Sequence, residues 1–261
     1  MSTVAPPAPQ GMTIEQAMAE AHARWDAGQA QHAEMLCQQV LAAWPGHSDA
    51  LHLLGLMAYA FGNIDAAIDH LRRACQTPRP PAVYFANLAE MCRQRGRLAE
   101  AEQAGRRAVA LEPSLIAGWN NLGIALQEAG KLDESLACLQ RVVQFRPDDA
   151  LARNNLANTF KRLGRLADAR REYEAALNLA PDYAEGHSNL ANLLSDLGEP
   201  DAALASARRA MDANPRLTGA YINAVGVETG RRRYDEALRW ADALLTFEPM
   251  HAGGRSRPPR R

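Results

Sequence analysis

The residues Ile116–Pro147, IAGWNNLGIALQEAGKLDESLACLQRVVQFRP, contain two amphipathic segments separated by a glycine. Trp119, Leu122 and Leu126 are spaced i, i+3 and i+7, so they lie on one face of a first helix. Gly130 is placed to end that helix, because glycine adopts the positive φ that a helix terminus often needs. The stretch therefore predicts a helix–turn–helix unit that ends near its proline.

The same unit recurs along the chain at an interval of 34 residues. Such a period is typical of helix pairs that stack on copies of themselves. Helices of about 14 residues are marginally stable alone in water, so stacking on neighbouring repeats is what stabilises them. Prolines recur at this interval, except that Arg79 occupies one of the expected positions. Glycines recur at the same interval, half a repeat before each proline position. The two series are Pro45, Pro113, Pro147, Pro181, Pro215 and Pro249, and Gly28, Gly62, Gly96, Gly130, Gly164 and Gly198.

These series predict an all-α protein, an α-solenoid of seven repeats over residues 14–251. We expect a disordered Pro/Ala-rich segment at 1–13 and a basic disordered tail at 252–261. Position 1 of a repeat is its first residue, and the seven first residues are Ile14, Ser48, Ala82, Ile116, Ala150, Ala184 and Thr218.

The composition excludes several classes of protein. The chain of 261 residues has a net charge of −1, and its last ten residues contain four arginines and no acid, so the rest is acidic. An acidic body argues against nucleic-acid binding, which needs a basic patch. No apolar run is long enough to span a membrane, and the N-terminus lacks the features of a secretory signal. We therefore predict a cytoplasmic protein.

The sequence contains no pattern typical of catalysis or of a cofactor. There is no glycine-rich phosphate loop, no metal-binding spacing of Cys or His, and no nucleophile–base signature. We predict a protein that is not an enzyme and that holds no cofactor or metal. Four cysteines without paired spacing are predicted to be reduced core residues, namely Cys37, Cys75, Cys92 and Cys138.

Together these residues resemble the tetratricopeptide repeat family. Its pattern of an aromatic residue, Leu-Gly, a small residue and Pro is matched by Trp119, Leu122-Gly123, Ser135 and Pro147. The resemblance covers residues 14–251. It implies a right-handed superhelix of antiparallel helix pairs, in which the first helices line a concave groove that binds extended peptides or partner helices.

The terminal repeats depart from this pattern. Ala17 replaces the aromatic residue of the first repeat, and Arg232 replaces the turn glycine of the last. Arrays of this family usually end with an additional helix, whereas residues 253–261 read GGRSRPPRR. We therefore expect either a frayed last repeat or a chain that is a truncated or frame-disrupted part of a longer protein.

A row of asparagines is the first candidate binding surface. An amide both donates and accepts hydrogen bonds, so a row of them can pair with the backbone of an extended peptide. The row resembles the asparagine ladder of protein O-GlcNAc transferases. An alternative is that the amides orient neighbouring helices, and the sequence leaves both open. Position 6 holds Asn87, Asn121, Asn155, Asn189 and Asn223, and the same side of the first helices adds Asn154, Asn158 and Asn192.

Three basic residues complete the predicted groove. Arg93, Lys161 and Arg162 occupy positions 12 and 13, where they either bind a partner or lie at solvated helix ends. We expect a non-catalytic scaffold that binds a protein or peptide partner in the groove, with no nucleic acid or membrane as partner. The alternative is a substrate-recruiting module of a larger enzyme, such as a glycosyltransferase. The oligomeric state stays open.

Overall fold

The computed structural model describes residues 11–247. Most of the predicted N-terminal segment, the end of the seventh repeat and the whole predicted tail lie outside these residues. The boundaries of the array as a domain therefore stay a prediction.

Fourteen α-helices and no strand occupy the described part of the chain. Each first helix begins at position 1 of its repeat, and each second helix follows after a three-residue turn. The helices are α1 (Ile14–Asp26), α2 (Ala30–Ala43), α3 (Ser48–Ala60), α4 (Ile64–Cys75), α5 (Ala82–Gln94), α6 (Leu98–Leu111), α7 (Ile116–Glu128), α8 (Leu132–Phe145), α9 (Ala150–Arg162), α10 (Leu166–Leu179), α11 (Ala184–Asp196), α12 (Pro200–Ala213), α13 (Thr218–Gly230) and α14 (Tyr234–Phe247).

The chain divides into two compact bodies between Val142 and Val143, within α8. We call residues 11–142 the N-terminal body and residues 143–247 the C-terminal body. Inside each body, consecutive helices pack on one another, so the all-α solenoid arrangement of helix pairs is confirmed.

The turn between the two helices of a repeat requires a left-handed residue. Gly130 has φ 78°, and the other five turn glycines of the predicted series also have positive φ. In the seventh repeat this position is Arg232, whose φ is 60°. An arginine in this region is strained because its Cβ crowds the backbone. The turn geometry is thus retained where the glycine is lost.

The side chain at position 4 stabilises the turn between two repeats. In four repeats its side chain donates a hydrogen bond to the carbonyl of the proline six residues earlier. An indole, a guanidinium, an imidazole and a phenol all serve, which explains why Arg153 occupies an aromatic position. The pairs are Trp119 Nε1 with Pro113 O (2.9 Å), Arg153 Nε with Pro147 O (2.9 Å), His187 Nε2 with Pro181 O (2.7 Å) and Tyr221 OH with Pro215 O (3.0 Å).

The core is a thin layer of small and aliphatic side chains. Leu71 and Leu126 are fully buried in the N-terminal body, and Tyr173 and Leu193 are buried in the C-terminal body. The four cysteines are free thiols. Burial raises the pKa of Cys37 to about 12, so this thiol is an inert core group.

Candidate functional site

The predicted site residues all lie on the first helices of their repeats. Positions 5 and 6 point toward the first helix of a neighbouring repeat, and positions 9, 12 and 13 lie nearer the carboxyl end of the helix. The contacts at these positions are described for each body separately.

Most position-6 asparagines bridge two first helices. In each described pair the amide Nδ2 reaches a position-5 residue of the preceding repeat, 35 residues earlier. The acceptor is a ring nitrogen, a backbone carbonyl, an amide oxygen or a serine. The pairs are Asn87 with His52 Nε2 (2.9 Å), Asn121 with Ala86 O (2.9 Å), Asn189 with Asn154 Oδ1 (2.9 Å), and Asn223 with Ser188 O (2.8 Å) and Ser188 Oγ (3.2 Å).

These bonds favour the second interpretation of the asparagine row, in which the amides orient neighbouring helices. Each bridge uses one of the two hydrogens of the amide, so the row offers fewer donors than a row of unbonded amides would. Asn154 is 4% exposed, between α9 and α11, where its Oδ1 accepts the hydrogen bond from Asn189. The first helix of the following repeat thus covers this position-5 side chain.

The position-9 asparagines of the C-terminal body differ in exposure. Asn158 is half-buried, and its Oδ1 accepts a hydrogen bond from Tyr173 OH at 2.5 Å. Asn192 is exposed, and its Nδ2 reaches Asn223 Oδ1 only at 3.5 Å. Its own Oδ1 accepts a hydrogen bond from Lys161 Nζ. Asn192 is therefore an amide that solvent or a partner can reach.

Positions 12 and 13 form a second series of contacts between first helices 35 residues apart. In the N-terminal body, Gln94 donates to Tyr59 OH at 2.8 Å, and Arg93 pairs with Glu128 at 2.6 Å. In the C-terminal body, the equivalent pair is Lys161 with Asp196, at 2.8 Å. Two of the three predicted basic residues thus link repeats.

Arg93 is held more firmly than Lys161. Besides Glu128, Arg93 donates through Nε and an Nη to both oxygens of Glu90, at 2.9 and 2.7 Å. This hydrogen bonding raises the pKa of the Arg93 guanidinium above its usual range. The planar fork matches a carboxylate in two places, which an ammonium group cannot do.

The remaining predicted residues lie in the middle and at the carboxyl end of α9. Asn155 is half-buried, and its backbone carbonyl accepts a bond from Thr159 Oγ1 at 3.3 Å. Arg162 is exposed at the carboxyl end of the helix, where a cation favours the negative end of the helix dipole.

Sequence reasoning missed a histidine cluster in the N-terminal body. His52 is 9% exposed and stacks on Tyr84, with ring centroids 4.1 Å apart. Nearby, His22 Nε2 lies 3.0 Å from Asp49 Oδ2. Burial lowers the pKa of His52 to about 4, although Asp49 acts in the opposite direction. The signal was His52 at position 5, one position before the asparagine row.

Large apolar side chains are exposed on first helices, or directly after one, in both bodies. In the C-terminal body, Leu151 and Ile222 are 55% and 57% exposed on first helices. In the N-terminal body, Phe61 is 70% exposed and meets Trp25 edge to face at 6.4 Å. An exposed apolar group next to polar groups with remaining hydrogen-bond capacity is suited to contact with a peptide.

No three His, Cys, Asp or Glu side chains of residues 11–247 are placed to hold a metal ion. None of the helices described there is long and apolar enough to cross a bilayer.

Sequence models of the tetratricopeptide repeat match residues 18–83, 82–107, 114–182, 148–216 and 188–252. The chain belongs to the tetratricopeptide repeat family. This confirms the resemblance carried by the repeat pattern, and it matches the helix pairs of the structure. The tetratricopeptide fold supports a protein-interaction scaffold.

The solved structures that resemble this tetratricopeptide repeat chain include three of high coverage. A tetratricopeptide repeat protein from Parabacteroides merdae has a TM-score of 0.75 and 14% identity, covering 92% of this chain and 94% of its own. PilF of Pseudomonas aeruginosa has a TM-score of 0.66 and 15% identity, covering 79% and 94%. YrrB, a protein with an unusual peptide-binding site, has a TM-score of 0.56 and 16% identity, covering 70% and 95%. At these identities the likeness concerns the fold alone. No curated protein sequence matches the chain.

Proposed function

We propose that this protein is a non-catalytic scaffold that binds a peptide segment of a partner along the first helices of the C-terminal body. The first helices α9, α11 and α13 present the predicted residues with the greatest exposure. The peptide-binding site named for YrrB, a protein of the same fold, supports this class of function.

The observation that carries the proposal is the accessible amide of Asn192 on the first helix α11. Asn192 and Ile222 lie on the adjacent first helices α11 and α13, and Asn192 reaches α13 through Asn223 at 3.5 Å. That bond is long, so the amide can exchange it for a peptide carbonyl or N–H at little cost. Ile222 adds apolar contact area for a side chain of the peptide.

The cations Lys161 and Arg162 add charge to the same surface. Lys161 is linked to Asp196, and Arg162 is exposed at the carboxyl end of α9. A peptide with an acidic residue near its bound segment is therefore favoured over a basic one.

The alternative of a substrate-recruiting module for a larger enzyme receives less support. It depended on a row of amides that contacts peptide backbones along the groove. Because four of the position-6 amides bond to the preceding first helix, the row has fewer donors to offer.

A peptide-display library selected on the full chain tests the proposal. We expect selected peptides to bind Asn192→Ala about fivefold more weakly, since one hydrogen bond is worth about 1 kcal/mol. The double change Asn192→Ala with Ile222→Ser is expected to lower affinity by about 50-fold or more. The matched control is Asn178→Ala, at an exposed asparagine on the second helix α10.

Affinity is measured by calorimetry and folding by thermal melting. Selected peptides that bind the double variant and the Asn178 variant equally well would contradict the proposed surface. Loss of binding together with a large fall in the melting temperature would show that these residues are structural instead.

A further inference from the structure

The second helix of the seventh repeat, α14, exposes an apolar face within the C-terminal body. The equivalent helix of the sixth repeat, α12, packs on both α11 and α13, whereas α14 packs on α13. Leu204 and Met211 of α12 are 6% and 8% exposed. Their equivalents on α14, Leu238 and Leu245, are 61% and 53% exposed. These two leucines are seven residues apart, so they lie on one face of the helix.

The earlier repeats show what packs on this face of a second helix. In the N-terminal body, Ile68 and Leu71 of α4 occupy positions 21 and 24 of their repeat. They share a core cluster with Leu88 and Cys92 of α5, which occupy positions 7 and 11 of the following repeat. The next first helix thus covers a second helix with two apolar side chains spaced i, i+4. Leu238 is position 21 of the seventh repeat, so a helix with the same spacing matches it.

The charged group beside this face also has a regular partner in other repeats. Position 18, in the first turn of the second helix, is an aspartate that pairs with an arginine of the following repeat. The pairs are Asp65 with Arg95 and Asp201 with Arg231, each at 2.5 Å. Both arginines occupy position 14, directly after the carboxyl end of the first helix. Asp235 is position 18 of the seventh repeat, and it is exposed without an ion pair in residues 11–247. A cation at the carboxyl end of a covering helix is therefore favoured.

Neither end of a second copy of this chain offers such a helix. On α1, positions 7 and 11 are Glu20 and Arg24, which pair with each other at 2.6 Å, so that face is polar. The carboxyl end of α14 itself carries no cation, because residues 245–248 read LTFE. Residues 248–261 contain no Leu, Ile or Val, so they supply no aliphatic row either. The apolar face and its aspartate together fit a helix of another protein.

We propose that α14 docks an amphipathic α-helix of a partner protein. The partner helix runs antiparallel to α14, with apolar side chains spaced i, i+4 against Leu238 and Leu245. An arginine or lysine at its carboxyl end pairs with Asp235. Such a helix lies on an apolar face in the way that first helices do inside the array. This surface belongs to a second helix, so it is separate from the peptide surface proposed on α9, α11 and α13.

A displayed library of helical peptides, selected on the full chain, tests the proposal. The library fixes apolar residues at i, i+4 and i+7 and randomises the other positions. We expect the selected peptides to carry Arg or Lys at the carboxyl end. Leu238→Ser with Leu245→Ser is expected to lower their affinity at least about 50-fold, because two apolar contacts are lost. Asp235→Lys is expected to lower it about fivefold, and replacing the cation of the peptide by Glu is expected to restore it.

The matched control is Leu151→Ser, at a leucine of α9 that is 55% exposed, and it is expected to bind the peptides normally. The changed side chains are exposed, so the melting temperature is expected to stay the same in all variants. A library that yields no binder, or peptides that bind the double variant as well as the wild type, would overturn the proposal. Sedimentation velocity provides the remaining test. A dimer of the wild-type chain that the double variant loses would assign the face to a second copy instead.

Discussion

The N-terminal and C-terminal bodies join their first helices at the same two positions but with different chemistry. In the N-terminal body, the position 5–6 contact of the second and third repeats is a buried imidazole, His52, with Asn87. In the C-terminal body, the same contact joins two amides, Asn154 and Asn189. The bodies therefore share the geometry of their helix pairs, whereas the groups that can titrate there differ.

This difference shows which part of the repeat is fixed. The spacing of 35 residues between contact partners follows from the helix packing, since it recurs with a ring nitrogen, a backbone carbonyl, an amide and a serine as acceptors. The chemical identity of each partner is free to vary. Properties such as pH response are therefore local to a repeat, as expected where each repeat contacts only its neighbours.

The largest expected effect is an acid sensitivity of the N-terminal body. The pKa of His52 is about 4 in the folded chain, below the 6.5 usual for histidine, because burial opposes its charge. The unfolded chain therefore binds more protons between these values. The contribution of His52 to stability is full above pH 6.5 and is lost as the pH falls to about 4. The loss is roughly 3 kcal/mol.

Hydrogen exchange at pH 7 and pH 4.5, resolved by helix, measures this effect. We expect protection of α3 and α5 to fall with pH. His52→Gln keeps an acceptor for Asn87 but does not titrate, so this part of the pH dependence is expected to disappear. His47 and His70 also have pKa values lowered by burial. The His52→Gln variant is therefore needed to separate the effect of His52 from theirs. An unchanged pH dependence of α3 in the variant would show that His52 is not the cause.

The sequence predicted the helix pairs of both bodies better than the side-chain contacts between them. The proline and glycine series located the helix pairs because turn geometry demands particular residues at fixed positions. The partners of Asn87 and Asn189 could not be read from the sequence, since the preceding repeat offers a different acceptor each time. The open groove lined by His187, Leu190 and Arg209 was also not predicted, because its shape depends on side-chain packing.

A substitution in the turn of the seventh repeat is expected to have an intermediate effect on stability. Arg232 holds φ 60° where the other turns described have glycine. Arg232→Gly removes the strain on the arginine and is expected to stabilise the C-terminal body by about 1 kcal/mol, after the entropy cost of glycine in the unfolded chain. Gly96→Ala makes the reverse change in the N-terminal body and is expected to destabilise it by a similar amount.

Urea unfolding followed by hydrogen exchange in each body checks both changes. Opposite shifts of similar size are expected, each confined to the body that carries the substitution. A shift of both bodies with either variant would mean that they unfold together, and that the local behaviour of the repeats has been overstated.

The smallest expected effect concerns the ion pairs at positions 12 and 13. Lys161 and Asp196 are 19% and 50% exposed, and their contact at 2.8 Å is a single ammonium–carboxylate pair. A double-mutant cycle with Lys161→Gln and Asp196→Asn is expected to give a coupling free energy of about 0.3 kcal/mol, because solvent screens such pairs.

The same cycle at Arg93 and Glu128 in the N-terminal body is expected to give about 1 kcal/mol. Glu90 holds Arg93 through two hydrogen bonds, so less side-chain freedom is lost when Glu128 pairs with it. Raising the salt concentration is expected to reduce the coupling free energy of Lys161 with Asp196 more than that of Arg93 with Glu128. Equal couplings would mean that the fixed guanidinium gives no advantage. In that case the two bodies would differ at positions 5 and 6 alone, and positions 12 and 13 would be equivalent throughout the array.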